Sequence, residues 1–228
     1  MSLRLITRIL LINPNTSRAT TALMVAIARE AAPPGTEIMG ATAGRGPSMI
    51  LRTEELTAAA SEVVEIGRAR AGDVDGIIVG AFGDPGLAEL RHAASVPMVG
   101  IAEASLLEAA VGGRRFGVAT TTPALVDNIA AYAATLGLAE LYTGVRLTAG
   151  DPMALVADPP RLVEALAEAV RLSIEEDGAE AVVIGGGPLG EAAKALAPRF
   201  ATPIIAPIPA AVRKLMGGLA TSRNLLRL

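Results

Sequence analysis

The stretch Val74–Leu90, VDGIIVGAFGDPGLAEL, decides the architecture. Ile77, Ile78 and Val79 form a short β-branched apolar run, the kind that suits a parallel strand covered on both faces. Gly80, Gly83, Pro85 and Gly86 break that strand, and Leu87 to Ala93 resumes with helix formers. Backbone N–H groups at the start of such a helix point into the space above the strand end. In open α/β sheets, ligands collect at that edge.

The corner has a partner. Glu180–Leu196, EAVVIGGGPLGEAAKAL, repeats strand, glycine corner and helix; Asp75 aligns with Glu180, 105 positions on, which lays Gly80 on Gly185 and Ala81 on Gly186. A proline-introduced strand follows each copy, Val96-Pro97-Met98-Val99 and Thr202-Pro203-Ile204-Ile205. Upstream, Arg8-Ile9-Leu10-Leu11-Ile12-Asn13-Pro14-Asn15 aligns with Arg115-Phe116-Gly117-Val118-Ala119-Thr120-Thr121-Thr122 at a spacing of 107. The chain reads as two related halves.

A 228-residue chain that is 51% hydrophobic buries a sizeable core, as one large domain or two lobes, and the repeat favours two. Aromatic content is 2% with no Trp, which argues against a nucleic-acid binder that stacks bases. The net charge of −3, without long runs of one sign, makes duplex nucleic acid and anionic membranes poor partners. Arg4 and Arg8 precede the apolar run Ile9–Ile12, but the run is too short for a signal peptide, and no stretch is long enough to span a bilayer. A cytoplasmic protein is expected. With no cysteine, disulfides, cysteine metal sites and thiol nucleophiles are excluded, and a single histidine, His92, leaves little for zinc; no metal site is expected.

In chain order, strands are expected at Ile9–Ile12, Glu37–Ala41, Ile77–Val79, Met98–Ile101, Phe116–Ala119 and Leu141–Leu147. Helices are expected from Ser17 or Thr16, as cap, to about Ala31, from Thr53 onward, over Glu103–Val111, from Pro123 with Thr122 as N-cap to about Ala134, from Asp158-Pro159 to near Glu176, and over Ala210–Met216. Gly112-Gly113 marks the boundary: residues 1–112, with a C-terminal segment of about 207–228, form the first lobe and 113–206 the second. Strand and helix alternate throughout, which predicts parallel sheets with helices on both faces in two pseudo-symmetric doubly wound lobes.

Four corners then come from corresponding positions: Asn13 to Thr16 and Ala81 to Asp84 in one half, Thr120 to Thr122 and Gly186 to Leu189 in the other. Facing lobes bring them to one cleft that offers amides, hydroxyls and backbone N–H groups without a cationic side chain. Such a site suits a small carboxylate, imide or ureide held by neutral donors.

At this point the sequence resembles the aspartate/glutamate/hydantoin racemases, and among them the cofactor-independent hydantoin and allantoin racemase branch. The resemblance is carried by Ile12-Asn13-Pro14-Asn15-Thr16-Ser17, Val79-Gly80-Ala81-Phe82-Gly83-Asp84-Pro85-Gly86, Val99-Gly100-Ile101-Ala102-Glu103-Ala104 and Ala119-Thr120-Thr121-Thr122, in that order along nearly the whole chain. It implies flavodoxin-like lobes with a ligand cleft between them, no cofactor, and a homo-oligomer. In the family, two cysteines on opposite faces of the substrate's stereocentre remove and return its proton, a task a thiol performs because its pKa is brought near working pH. The matching positions are Ala81 and Gly186, and neither side chain carries a proton. Substrate-binding positions implied by the match are Asn13, Asn15, Thr16, Phe82, Gly83, Thr120, Thr121, Thr122 and Gly187.

Other residues are weaker candidates for the missing chemistry. Asp84 and Glu103 read first as structural or helix-capping residues and only second as acid or base, and His92, between Arg91 and Ala93, reads as a surface residue. The hydroxyls of Thr120 to Thr122 lie where substrate would be bound, although Thr122 reads equally as a helix cap. Gly185-Gly186-Gly187-Pro188-Leu189-Gly190 formally matches GxGxxG, but the acidic residue that a dinucleotide site wants about twenty positions on is absent from Ile204–Pro209. Three functions remain: a racemase-type isomerase of hydantoin, allantoin or an acidic amino acid, working by something other than two thiols; a thiol-free decarboxylase or lyase; and a non-catalytic binder on the same scaffold.

Overall fold

In the computed structural model, residues 6–225 are described; Arg4 of the N-terminal flank and residues 226–228 lie outside them. The first half runs β1 (Thr7–Asn13), α1 (Arg18–Ala31), β2 (Thr36–Thr42), α2 (Thr53–Arg70), β3 (Gly76–Val79), α3 (Leu87–Ala93), β4 (Met98–Gly100) and α4 (Ile101–Ala109). The second runs β5 (Phe116–Thr120), α5 (Val126–Thr135), β6 (Tyr142–Leu147), α6 (Pro152–Val156), α7 (Pro159–Glu175), β7 (Ala181–Ile184), α8 (Gly190–Leu196), β8 (Ile204–Ile205) and the closing α9 (Pro207–Leu225).

Each half forms a four-stranded parallel sheet. The orders are β2-β1-β3-β4 and β6-β5-β7-β8, the same order twice. The repeat extends to single hydrogen bonds. Asp75 takes the backbone N–H of Arg8 at 2.8 Å, and Glu180 takes that of Arg115 at 2.9 Å. Gly80 donates its N–H to Ile12 O and Gly185 to Ala119 O, both at 2.8 Å.

Alternation along the strands builds the layers. Ile9, Leu11 and Ile78 of one sheet share a core with Phe116, Val118 and Val183 of the other, so a single apolar core fastens both lobes. The opposite faces, Leu10, Ile12, Ile77 and Val79 in one lobe and Ala119, Val182 and Ile184 in the other, pack under separate helices. Each fully buried Ile or Leu contributes about 1.5–3 kcal/mol relative to exposure. α9 packs on α1, α4, β3 and β4, and we propose on that ground to count it with residues 1–112 in one lobe, with 113–206 as the other.

Several boundaries differ from those expected. Ser17, not Thr16, caps α1, its Oγ accepting from Thr20 N at 3.2 Å. Thr122 caps without a side-chain hydrogen bond, and a 3-10 turn at Pro123–Leu125 precedes α5. α4 begins at Ile101 rather than Glu103, because the Asp84 carboxylate accepts the N–H groups of Ala102 and Glu103 and fixes the first turn there. α9 begins at Pro207 rather than Ala210, since a proline in the first turn has no needed N–H to lose. α6 was not expected; Asp151 caps it, accepting from Ala154 N at 2.9 Å.

Candidate functional site

In both sheets the connection reverses between the first and third strands, β1/β3 and β5/β7, so each lobe has a crevice at the carboxyl ends of those strands. The crevices face one another and the two glycine corners touch. A Cβ built on Gly187 would stand 2.9 Å from Gly80 O and 2.8 Å from Met24 Sδ, and one on Gly185 would stand 3.5 Å from Phe82 Cε1. Only glycine allows backbone to approach backbone that closely.

Between the corners lies a small, partly enclosed cavity of about 90 Å³ that opens to solvent. Ala81 and Gly186 both line it, with Asn15, Phe82, Thr121, Thr122 and Gly187. Four of the residues singled out from sequence do not line it. Asn13 is buried, its Nδ2 facing Asn15 Oδ1, Ser17 O and Thr21 Oγ1 at 2.8–3.1 Å, so it shapes the first corner. Thr16 opens onto a separate groove between α1 and β2. Gly83 has φ +121° and packs under Leu56. Thr120 is buried and donates its hydroxyl to Gly185 O at 2.6 Å, tying the two corners of the second lobe together.

The cavity also has walls the sequence did not announce. Thr20, Met49, Ile50 and Leu56 come from one lobe and Leu125 and Val156 from the other, beside Pro188 and Leu189 of the expected Gly186–Leu189 corner. Met49 and Ile50 sit on the strap of residues 43–52, which is pinned along its length. Glu62 accepts from Gly44 N (2.8 Å) and Arg45 N (3.3 Å) and pairs with the Arg45 guanidinium, Pro47 O accepts from Thr16 N at 3.0 Å, and Glu55 accepts from Leu51 N and Arg52 N. Burial pushes the Glu62 carboxyl up, but these donors outweigh it and hold it below the usual carboxylate range. The one signal in the sequence that could have found the strap is the apolar run Met49-Ile50-Leu51 after the glycine-rich stretch 43–48.

None of the lining residues carries an ionisable side chain. Asp84 is the ionisable residue nearest in sequence to Ala81, and its carboxyl group is turned to partners outside the lining. It accepts from Ala102 N at 2.9 Å, Glu103 N at 2.7 Å and Tyr132 Oη at 2.9 Å. Burial lifts its pKa to about 7 against the pull of those three donors. Its φ of +48° makes it the one non-glycine residue with positive φ among the described residues, a conformation aspartate tolerates better than most. Asp84 is thus a tertiary cap for α4. Glu103 pairs with Arg91 at 2.8 Å, and exposed His92 bonds Ala88 O at 2.7 Å within its own helix. Among the described residues, no group of three His, Asp or Glu is placed to hold a metal ion, and no helix is long and apolar enough to cross a membrane.

Residues 9–215 match the family model for Asp/Glu/Hydantoin racemase. The chain is 30% identical over 208 residues to a hydantoin racemase of Paenarthrobacter aurescens, covering 90% of this chain and 88% of that protein. Its fold superposes on an allantoin racemase from Klebsiella pneumoniae with a TM-score of 0.88 at 33% identity, covering 95% of this chain and 89% of that one. For an allantoin racemase from Pseudomonas fluorescens the TM-score is 0.89 at 29% identity, with 95% and 92% covered. Fold, motif order and corner geometry thus agree: the chain belongs to the Asp/Glu/hydantoin racemase family, in its hydantoin and allantoin racemase branch, and it does so without a single cysteine.

Proposed function

We propose that the protein binds an uncharged cyclic ureide, of the hydantoin or allantoin class, in the cleft between the lobes, with the stereocentre between Ala81 and Gly186. A hydantoin ring presents carbonyl acceptors and N–H donors but no net charge. The cleft answers with the Asn15 amide, the Thr20, Thr121 and Thr122 hydroxyls and the backbone of the glycine corners, and its lining offers no cation to a pair of carboxylates. That disfavours an acidic amino acid, whose burial without a counter-charge is costly. Met49, Ile50, Leu125 and Val156 supply apolar surface for a ring substituent.

Taking a proton from the stereocentre needs a group that accepts it at a working pKa and stands against the reacting carbon. Neither flanking side chain is such a group, and the nearest buried carboxylate is committed to Ala102, Glu103 and Tyr132. The chain as written therefore holds its ligand without exchanging that proton, and the racemase chemistry of its lineage is not carried by thiols here. The observation that bears this reading is a cleft lined without any ionisable side chain. Calorimetric titration with both enantiomers of 5-benzylhydantoin and with the ring-opened N-carbamoylphenylalanine tests it. Binding of the ring and not of the opened acid supports it; preference for the acid overturns it.

A further inference from the structure

α5 packs on β6 of its own lobe, and two of its side chains also reach the first lobe. Leu125, Asn128, Ile129, Tyr132 and Ala133 are buried or half-buried, whereas Asp127, Ala131, Ala134 and Thr135 are exposed, the spacing of a single helical face. Over three successive turns, from Leu125 just ahead of α5 to Tyr132, this segment lines the cavity once and bonds the first lobe twice. Leu125 lies in the cavity wall. At the next turn, the Thr53 hydroxyl, at the end of the strap, has Ala124 O and Asn128 Oδ1 as acceptors, both at 3.3 Å. At the third, Tyr132 Oη donates to Asp84 Oδ2 at 2.9 Å, directly behind the corner that carries Ala81 and Phe82. The chain enters this helix from Thr121 and Thr122, themselves part of the wall.

We propose that α5 is a clamp that sets the gap between the lobes, with Tyr132 and Asn128 as positioning residues that hold the first corner and the strap of the first lobe against the second. The proposal rests on the cleft being the ligand site. Tyr132 suits the task because a phenol bonded to a buried carboxyl group is directional, whereas the apolar contacts around it tolerate sliding. The Asp84 carboxylate is already held in its own lobe by two N–H groups of α4, so the bond from Tyr132 locates the second lobe against a fixed point. Arg91 and Glu103, ion-paired at 2.8 Å, flank the contact on the first-lobe side. A ligand touching Thr121 or Thr122 would then bind a wall whose distance from Ala81 is set by α5.

The test compares wild type with Tyr132→Phe, Asn128→Ala and, as control, Tyr142→Phe, whose ring packs on Phe116 in the other part of the second lobe at a centroid distance of 5.8 Å. Two readouts are used: the Kd for 5-benzylhydantoin, and amide hydrogen exchange across residues 43–53 and 80–87. The expected result is a Kd raised about tenfold by Tyr132→Phe, the size of one lost hydrogen bond. Exchange should be faster at 80–87 in that variant and at 43–53 in Asn128→Ala, with Tyr142→Phe changing neither. Equal affinity and equal exchange in wild type and both variants overturn the clamp while leaving the cleft reading intact. Acceleration spread over both lobes, instead of confined to these segments, also overturns it, since that is general destabilisation. If wild type fails to bind the hydantoin, the cleft reading fails and exchange alone judges the clamp. If Tyr132→Phe does not fold, Asn128→Ala carries the test through the strap.

Discussion

The carbonyl oxygen of Gly80 lies 2.9 Å from the point a Cβ on Gly187 would occupy, so the glycine corners of the two lobes are in direct contact. Adjacent Gly186 differs. Its φ of 166° is extended backbone that any residue adopts, and an added Cβ would meet only the end of the Leu189 side chain, at 2.9–3.0 Å.

Neighbouring glycines should therefore respond differently to the same change. Gly187→Ala presses a methyl against backbone and Met24, and is expected to cost about 1–3 kcal/mol of stability and to weaken ligand binding. Gly186→Ala should cost well under that, because Leu189 can yield. Denaturant unfolding of both variants checks the contrast, and equal losses would mean the corners are not in contact as described.

The pH dependence of stability carries the signature of Asp84. Its carboxyl ionises near 7 in the folded chain against 3.8 unperturbed, with burial as the main cause. Between those values the folded state holds one more proton than the unfolded state. The stability Asp84 contributes is thus complete below about pH 3.8 and is lost as pH rises through about 7. Asp84→Asn removes the titration, so wild-type stability measured relative to this variant should fall with rising pH across that window. A difference that stays flat contradicts the assignment.

Thr120→Val probes the tie inside the second lobe. It keeps the shape and leaves Gly185 O without its 2.6 Å donor, which should lower stability by about 1–2 kcal/mol. The ligand Kd should rise as well, because Gly185 and Gly186 are cleft wall. Thermal unfolding and calorimetry on the same sample separate the two effects.

What the sequence disclosed and what it hid follow from the range of the interactions involved. The duplicated strand-and-corner grammar is local, and it foretold two related halves with parallel sheets; the structure adds the shared strand order and the matching bonds from Arg8 N to Asp75 and from Arg115 N to Glu180. The shared cavity of Ala81 and Gly186 followed from the same symmetry. The inward or outward turn of one polar side chain is not a local property: Asn13 and Thr120 lie at the corners, yet their hydrogen bonds hold them out of the lining. The strap was hidden for a related reason. Met49 and Ile50 reach the cavity on a loop pinned by Thr16, Glu55 and Glu62, the last of these eighteen residues beyond Gly44, and no periodicity reports such contacts.

Strap and cavity are linked by Glu62→Ala. The variant strips acceptors from Gly44 N, Arg45 N and the Arg45 guanidinium, and should free Met49 and Ile50 from the wall. Affinity for a hydantoin with a bulky apolar substituent should drop several-fold, and affinity for unsubstituted hydantoin should change little, as seen by parallel calorimetric titrations. An equal drop for both would place the strap away from the substituent.

Restoring the thiols tests the central claim most directly. In D2O, Ala81→Cys with Gly186→Cys should exchange the ring C5 proton of both enantiomers of 5-benzylhydantoin and racemise them above the uncatalysed background. Each single variant should exchange one enantiomer only, with retention, because a base on one face reaches the proton of one hand; the unaltered chain should exchange neither. A double variant that folds and binds the hydantoin yet exchanges nothing would contradict the placement of one ligand between residues 81 and 186, and an unaltered chain that exchanges it would contradict the lack of a working base there.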